Sequence, residues 1–148
     1  MRNKILFLTL IFFYCIPLSA ENIFIQSKNV SLNKKNQTTI FKDEVIVKTE
    51  EGISIKSDYA EYDKEKAFLL LKDNIKAIDN KNNIIETNYA EYDEKTKIFK
   101  SRGSTTILTS EKYLIEGEDI IFDNSKDFIM SNKKTSIKDR ENNKIFLE

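Results

Sequence analysis

A period of thirty residues constrains this chain more than any other feature. The segment Ser57-Asp58-Tyr59-Ala60-Glu61-Tyr62-Asp63 returns as Thr87-Asn88-Tyr89-Ala90-Glu91-Tyr92-Asp93, and the same spacing picks out 27–33 and 117–123 with looser letters. Ile25, Ile55, Ile85, Ile115 and Ile145 hold one column, Val30, Ala60, Ala90 and Ile120 a second, and Leu32, Tyr62, Tyr92 and Phe122 a third. A polar column of Asn33, Asp63, Asp93 and Asp123 follows. Columns kept in register over four copies identify a repeat protein, in which each copy is one unit stacked on the next.

Each copy reads as strands. Residues 53–62 alternate through Ile53 and Ile55, then change phase near Ser57-Asp58 so that Ala60 and Tyr62 face the same side, as a bend or bulge requires. The Asp or Asn that follows closes a tight turn through its own side chain. A second strand is expected at 67–72, with counterparts at 97–101 and 127–131. A third is expected at 74–79, with counterparts at 44–48, 104–109 and 134–138. All are rich in Ile, Val, Thr, Tyr and Phe between polar turns. Residues 59–71 also suit a helix by propensity, but Val30-Ser31-Leu32-Asn33 and Ile120-Ile121-Phe122-Asp123 fill the same place in other copies and favour strand. A unit of this size cannot bury its apolar side alone, so copies must stack, about three or more of them. The expected fold is all-β: an elongated, open β-jellyroll of short, mainly antiparallel strands with a continuous apolar interior and free strand edges at both ends. Its repeats fall at about 23–52, 53–82, 83–112 and 113–142, with a fifth beginning at 143–148.

Met1 to Lys4 carry two positive charges, residues 5–18 are almost wholly apolar, and Leu18-Ser19-Ala20 ends in small residues. This pattern predicts a secretory signal peptide over 1–20, with the folded domain at 21–148. The run is shorter than the roughly 20 apolar residues of a membrane span and contains Pro17. Export places the domain in the periplasm of a cell with two membranes. Cys15 and Pro17 leave with the signal, so the domain has no cysteine, histidine, tryptophan or proline. Losing Arg2 and Lys4 from 24 basic residues leaves 22 against 24 acidic ones, a net charge of −2, and this lacks the basic footprint of nucleic-acid binding.

The same inventory excludes much chemistry. Without His or Cys there is no Ser–His–Asp triad, Cys–His dyad or thiolate metal site, and three isolated glycines make no phosphate loop. The pairs Glu61/Asp63 and Glu91/Asp93 resemble the two acids of a glycosidase, yet they recur in step with the structural repeat, which assigns them to strand face and turn. The calcium-binding Gly-Gly-x-Gly-x-Asp loop of β-rolls is missing. Neither catalysis, cofactor nor metal is expected. The candidate site is the apolar interior: Ile25, Val30, Leu32, Ile55, Ala60, Tyr62, Phe68, Leu70, Ile75, Ile85, Ala90, Tyr92, Ile107, Ile115, Ile120 and Phe122. Such a row is either plain packed core or the wall of a groove that accepts an acyl chain.

After a signal peptide, Ile-x-Ile-x-Ser-Asp-x-Ala-x-Tyr-Asp at 53–63 and Ile-x-Thr-Asn-x-Ala-x-Tyr-Asp at 85–93 resemble the OstA-like domain of lipopolysaccharide-transport proteins. The resemblance covers the chain from about Ile23 onward. It implies a β-jellyroll whose interior carries the acyl chains of lipid A and whose ends join like domains, LptC-like, LptD-like or a second copy, by strand addition. It admits a free LptA-like bridge or the N-terminal domain of an LptD-like assembly protein, and the cleavable signal speaks against the anchored LptC-like member. A solid-core scaffold that binds no lipid is the structural alternative. The family's Gly-Asn-Val before the third strand is replaced here by Asp43-Glu44-Val45, Asp73-Asn74-Ile75 and Gly103-Ser104-Thr105.

Overall fold

The computed structural model describes residues 23–126, 128–141 and 143–147, so the signal expected at 1–20 lies outside the described residues. Among the described residues, thirteen strands form one antiparallel sheet. They are β1 (Phe24–Gln26), β2 (Asn29–Asn33), β3 (Thr38–Lys48), β4 (Ser54–Asp63), β5 (Phe68–Ile78), β6 (Ile84–Asp93), β7 (Ile98–Ser101), β8 (Ser104–Leu108), β9 (Leu114–Glu118), β10 (Ile121–Asp123), β11 (Phe128–Met130), β12 (Thr135–Lys138) and β13 (Lys144–Leu147). The second and third strands expected in each copy are separate only in the later copies. In β3 and β5 they merge into one strand of 11 residues.

The pairing shows why. The C-terminal half of β3 pairs with β1 and its N-terminal half with β2, while β6 pairs with β8 through its first half and with β7 through its second. The sheet is therefore folded along a crease that crosses β3 to β6, where every ladder shifts register: at Lys42/Val45, at Lys56/Tyr59 and at Lys72/Ile75. One arm follows β1, β3, β4, β5, β6, β8, β9, β12 and β13. The other follows β2, β3, β4, β5, β6, β7, β10 and β11. Long strands in the middle belong to both arms, whereas the terminal strands break at the crease and belong to one.

Left-handed backbone makes the fold line. Asp43 (φ 63), Glu44 (φ 52), Asp73 (φ 62), Asn74 (φ 51) and Gly103 (φ 76) occupy it at thirty-residue spacing. The positions that depart from the family's glycine thus keep the glycine-like conformation, and Asp and Asn are among the side chains that tolerate it best. Polar side chains bridge the strands where the ladder is interrupted, and one of them takes up a freed backbone amide. Asn74 Nδ2 donates to Asp58 Oδ2 at 2.6 Å, Asn29 Nδ2 to Asp43 Oδ2 at 2.7 Å, and the Gly103 amide to Asp119 Oδ1 at 2.8 Å.

Two rows of hairpins form the free rims opposite the crease. On the second arm, the turn column caps itself: Asn33 Oδ1 accepts from the Lys35 amide, Asp63 Oδ1 from that of Lys66, and Asp93 Oδ1 from those of Lys95 and Thr96. On the first arm, the turns at 49–53, 79–83 and 109–113 share a left-handed residue at Gly52 (φ 82), Asn82 (φ 66) and Lys112 (φ 72). Lys112 is exposed, so its side chain gives no packing in return for that backbone. Lys112→Gly should therefore raise unfolding free energy by about 0.5–1 kcal/mol. Gly52→Ala, whose Cβ would lie 3.3 Å from Cβ of Asn80, should lower it by about 1 kcal/mol. Urea denaturation of both variants checks the pair; equal signs would contradict the shared turn geometry.

Candidate functional site

Residues directly opposite one another in a ladder share a face, and the register therefore assembles the interior. On the first arm one row runs Ile25, Val47, Ile55, Ala77, Ile85, Ile107, Ile115, Ile137, Ile145, each paired with the next. The five isoleucines of the sequence column are every second member of it. On the second arm the facing row is Leu32, Thr39, Tyr62, Leu69, Tyr92, Phe99, Phe122, Ile129. Beside it, nearer the crease, run Val30, Phe41, Ala60, Leu71 and Ala90. Alanine on β4 and β6 leaves room for Leu71 between them, a small and large alternation that lets the arms close.

Fourteen of the sixteen interior candidates lie on this inward side. Ile55, Ala60, Ile75, Ile85, Ala90, Tyr92, Ile107, Ile115, Ile120 and Phe122 are buried, and Ile25 and Tyr62 are half-buried. Val30 and Leu32 are 59% and 63% exposed although they face inward, because β2 is the last strand of its arm among the described residues. Phe68 and Leu70 are corrected: they point outward. Tyr62 pairs with Leu69 and Ala60 with Leu71, so the alternate residues of β5 face away from the interior, opposite Asp63 and Glu61. The run Ala67-Phe68-Leu69-Leu70-Leu71 is apolar on both faces, and periodicity within it cannot say which parity turns inward. Val47, Leu69, Leu71 and Phe99 are interior residues that reading the columns alone missed. Pairing β5 against Ala60 and Tyr62 would have found the two leucines.

The interior differs along its length. In the middle, Ile55, Ala60, Leu69, Leu71, Ala90 and Tyr92 are all 0% exposed and the arms meet through their own side chains. At each end the arms separate. A cavity of about 560 Å³ opens between Ile23, Leu32, Thr39 and Tyr62, rimmed by Lys34, Gln37 and Lys64. At the other end a cavity of about 410 Å³ is lined by Ile115, Ile120, Ile129, Thr135 and Ile137, with Lys133 beside it. Both fall in the range of small-molecule sites, about 300–1,000 Å³.

Midway between them the rims touch. Glu51, from the 49–53 hairpin of the first arm, forms an ion pair with Lys97 of the second. Tyr92 reaches up from the interior to donate its hydroxyl proton to Glu51 Oε2 at 3.4 Å. Burial, then the negative charges of Glu51 and Glu94, raise the Tyr92 phenol above its ordinary range, which keeps it protonated as a donor. Burial pushes Glu51 upward, but its hydrogen bond to Lys97 leads the opposing contributions and its carboxyl ends below the usual value.

The carboxylates that resemble a two-acid site are committed elsewhere. Glu61 accepts from Tyr59 Oη and Glu91 from Tyr89 Oη, both at 3.2 Å on the outer face. Lys72 lies 5.2 Å over the Tyr59 ring and Arg102 5.0 Å over that of Tyr89, so each tyrosine is sandwiched between its acid and a cation. Asp63 and Asp93 cap their turns as above.

The sequence profile of the lipopolysaccharide-assembly, LptC-related family matches residues 20–125. Among solved structures, the fold is similar to that of LptH, described as the LptA homologous periplasmic component of the conserved lipopolysaccharide transport device from Pseudomonas aeruginosa. The TM-score is 0.66 at 11% identity, over 86% of this chain and 95% of that one. Comparison with curated proteins finds no match.

The inward and outward leucines of β5 separate the two faces experimentally. Leu71→Ala should cost about 2–5 kcal/mol of unfolding free energy as a fully buried truncation. Leu70→Ala should cost no more than about 1 kcal/mol. The reverse order in chemical denaturation would place the interior on the wrong side of the sheet.

Proposed function

Since the chain belongs to the LptC-related lipopolysaccharide-assembly family, we propose that it works in the periplasm as a bridge domain for lipopolysaccharide, holding acyl chains between its two arms and docking end to end with like domains. The single observation that carries the lipid part is the pair of end cavities, each with an apolar wall, joined by the inward row that runs from Leu32 through Tyr62, Leu69, Tyr92, Phe99 and Phe122 to Ile129. An acyl chain entering either end gains about 0.8 kcal/mol for each methylene it buries. The sugar and phosphate head stays in water beside the rim lysines. No bond is made or broken, so the energy for directional movement comes from other components.

Docking is supported by the unpaired outer edges. Among the described residues, β1 and β2 have no outer neighbour at one edge of the folded sheet, and β11 and β13 have none at the other. An incoming strand at either end continues both the ladder and the apolar row. Partners of this kind are LptC-like or LptD-like domains, or a second copy of the chain. A signal peptide over 1–20 would deliver the domain at 21–148 to that compartment.

The packed middle favours one other reading, a spacer with a solid core that binds partners and no lipid. Photo-crosslinking distinguishes the two. With a photoreactive amino acid at Leu32 or Ile129, the carrier crosslinks to lipopolysaccharide from both end cavities, and at the outward Leu70 it gives little or none. Equal labelling at all three positions, or none at any with the fold intact, would overturn the carrier.

A further inference from the structure

Between the two end cavities the interior is filled by packed side chains, Ile55, Leu69, Leu71 and Tyr92 among them, and above Tyr92 the rims themselves are joined by Glu51 and Lys97. The rim contact is built from groups that exchange partners readily. The side chains of Glu51 and Lys97 are 24% and 33% exposed, so both already touch water and each can turn outward without becoming buried and unpaired. Lys97 also stands on the rim that carries Lys34 and Lys64 at the mouth of the larger cavity, one hairpin from Lys64. An amphiphile lying in the interior must leave its charged head on this side, since the crease closes the other.

We infer that Glu51 and Lys97 form a displaceable latch: an anionic group on the ligand's head takes Lys97 from Glu51, the rims part over Tyr92, and the acyl chain can then cross from one cavity to the other. This rests on the carrier reading and adds to it the residue that meets the headgroup and the contact that must break first. Glu51 occupies in the empty protein the place of a phosphate oxygen. A phosphate, carrying more charge and more acceptor atoms than a carboxylate, competes for an ammonium on favourable terms. The ligand opens the protein only to the extent that it binds the parted form more tightly than the latched one. A dephosphorylated lipid lacks that difference at Lys97 and has to rely on its chains alone.

Spin labels at Lys48→Cys and Thr96→Cys, in a Cys15→Ser background of the full chain, report the gap between the rims. The latched protein gives one short distance. Glu51→Gln, which keeps shape and removes charge, should add a longer distance without ligand and speed lipopolysaccharide uptake several-fold. Lys97→Met should bind lipopolysaccharide several-fold more weakly than the unchanged protein while binding a dephosphorylated lipid A at least as well, since that lipid no longer has to break the ion pair. Charge exchange in Glu51→Lys with Lys97→Glu should restore the short distance. Uptake by the unchanged protein together with identical distances and rates in Glu51→Gln would overturn the latch and leave the carrier standing. Undiminished affinity of Lys97→Met for the phosphorylated lipid would overturn the exchange. Absence of uptake in every variant would overturn the carrier reading and the exchange with it.

Discussion

The fold depends on one contact surface, the inward face of a sheet pressed against itself. A sheet with one apolar side needs a second layer to cover it, and this chain supplies that layer from the far halves of the same strands. The cost is a fold line, where backbone hydrogen bonds are interrupted and the chain must enter left-handed conformations that side chains disfavour. Placing Asp, Asn and Gly there, with other Asx side chains accepting or donating across the gap, makes the line tolerable. The inward apolar rows then converge: isoleucines from one arm meet tyrosines, phenylalanines and leucines from the other, and alanines set the spacing between them.

The columns made much of this legible. Ile25, Ile55, Ile85, Ile115 and Ile145 share a face because they stand at equivalent points of successive copies, and the phase change at Ser57-Asp58 marked where the strand had to bend. The aspartate column was readable as turn capping for the same local reason. What stayed hidden needed partners distant in sequence. Phe68 and Leu70 look no less apolar than Leu69 and Leu71, and only pairing with β4 shows which alternate pair turns inward. The continuity of β3 and β5 through the crease was hidden too, because Asp43-Glu44 and Asp73-Asn74 read as breaks and serve as bends. Glu51 belongs to a column that reads Glu21, Glu51, Lys81, Glu111 and Glu141, but Lys97 shares its own with Gln37, Ala67 and Asp127, so no repeated pair announced their meeting.

Stability and transport pull against each other in such an interior. Close packing at Ile55, Leu71 and Tyr92 holds the two arms together, whereas a carrier has to admit a chain in the same space. The ends resolve part of the conflict, since among the described residues the terminal strands have no outer neighbours and Val30, Leu32 and Ile145 are exposed. In the middle, small residues such as Ala60 and Ala90 stand among the large ones, and polar contacts join the rims above them. A second apolar strip exists on the outside of the first arm, where Ile78, Ile84, Leu108 and Leu114 pair in succession. Its half-exposed side chains offer a flat surface, against which an acyl chain would bury one side only.

Magnetisation transfer from acyl methylenes of unlabelled lipopolysaccharide to methyl-labelled protein therefore tests the account most directly. The account predicts contacts to the methyl groups of Ile55, Leu69, Leu71 and Ile107 once the lipid is bound. Contacts confined to Ile78, Ile84, Leu108 and Leu114, with the inward methyl groups silent, would contradict it.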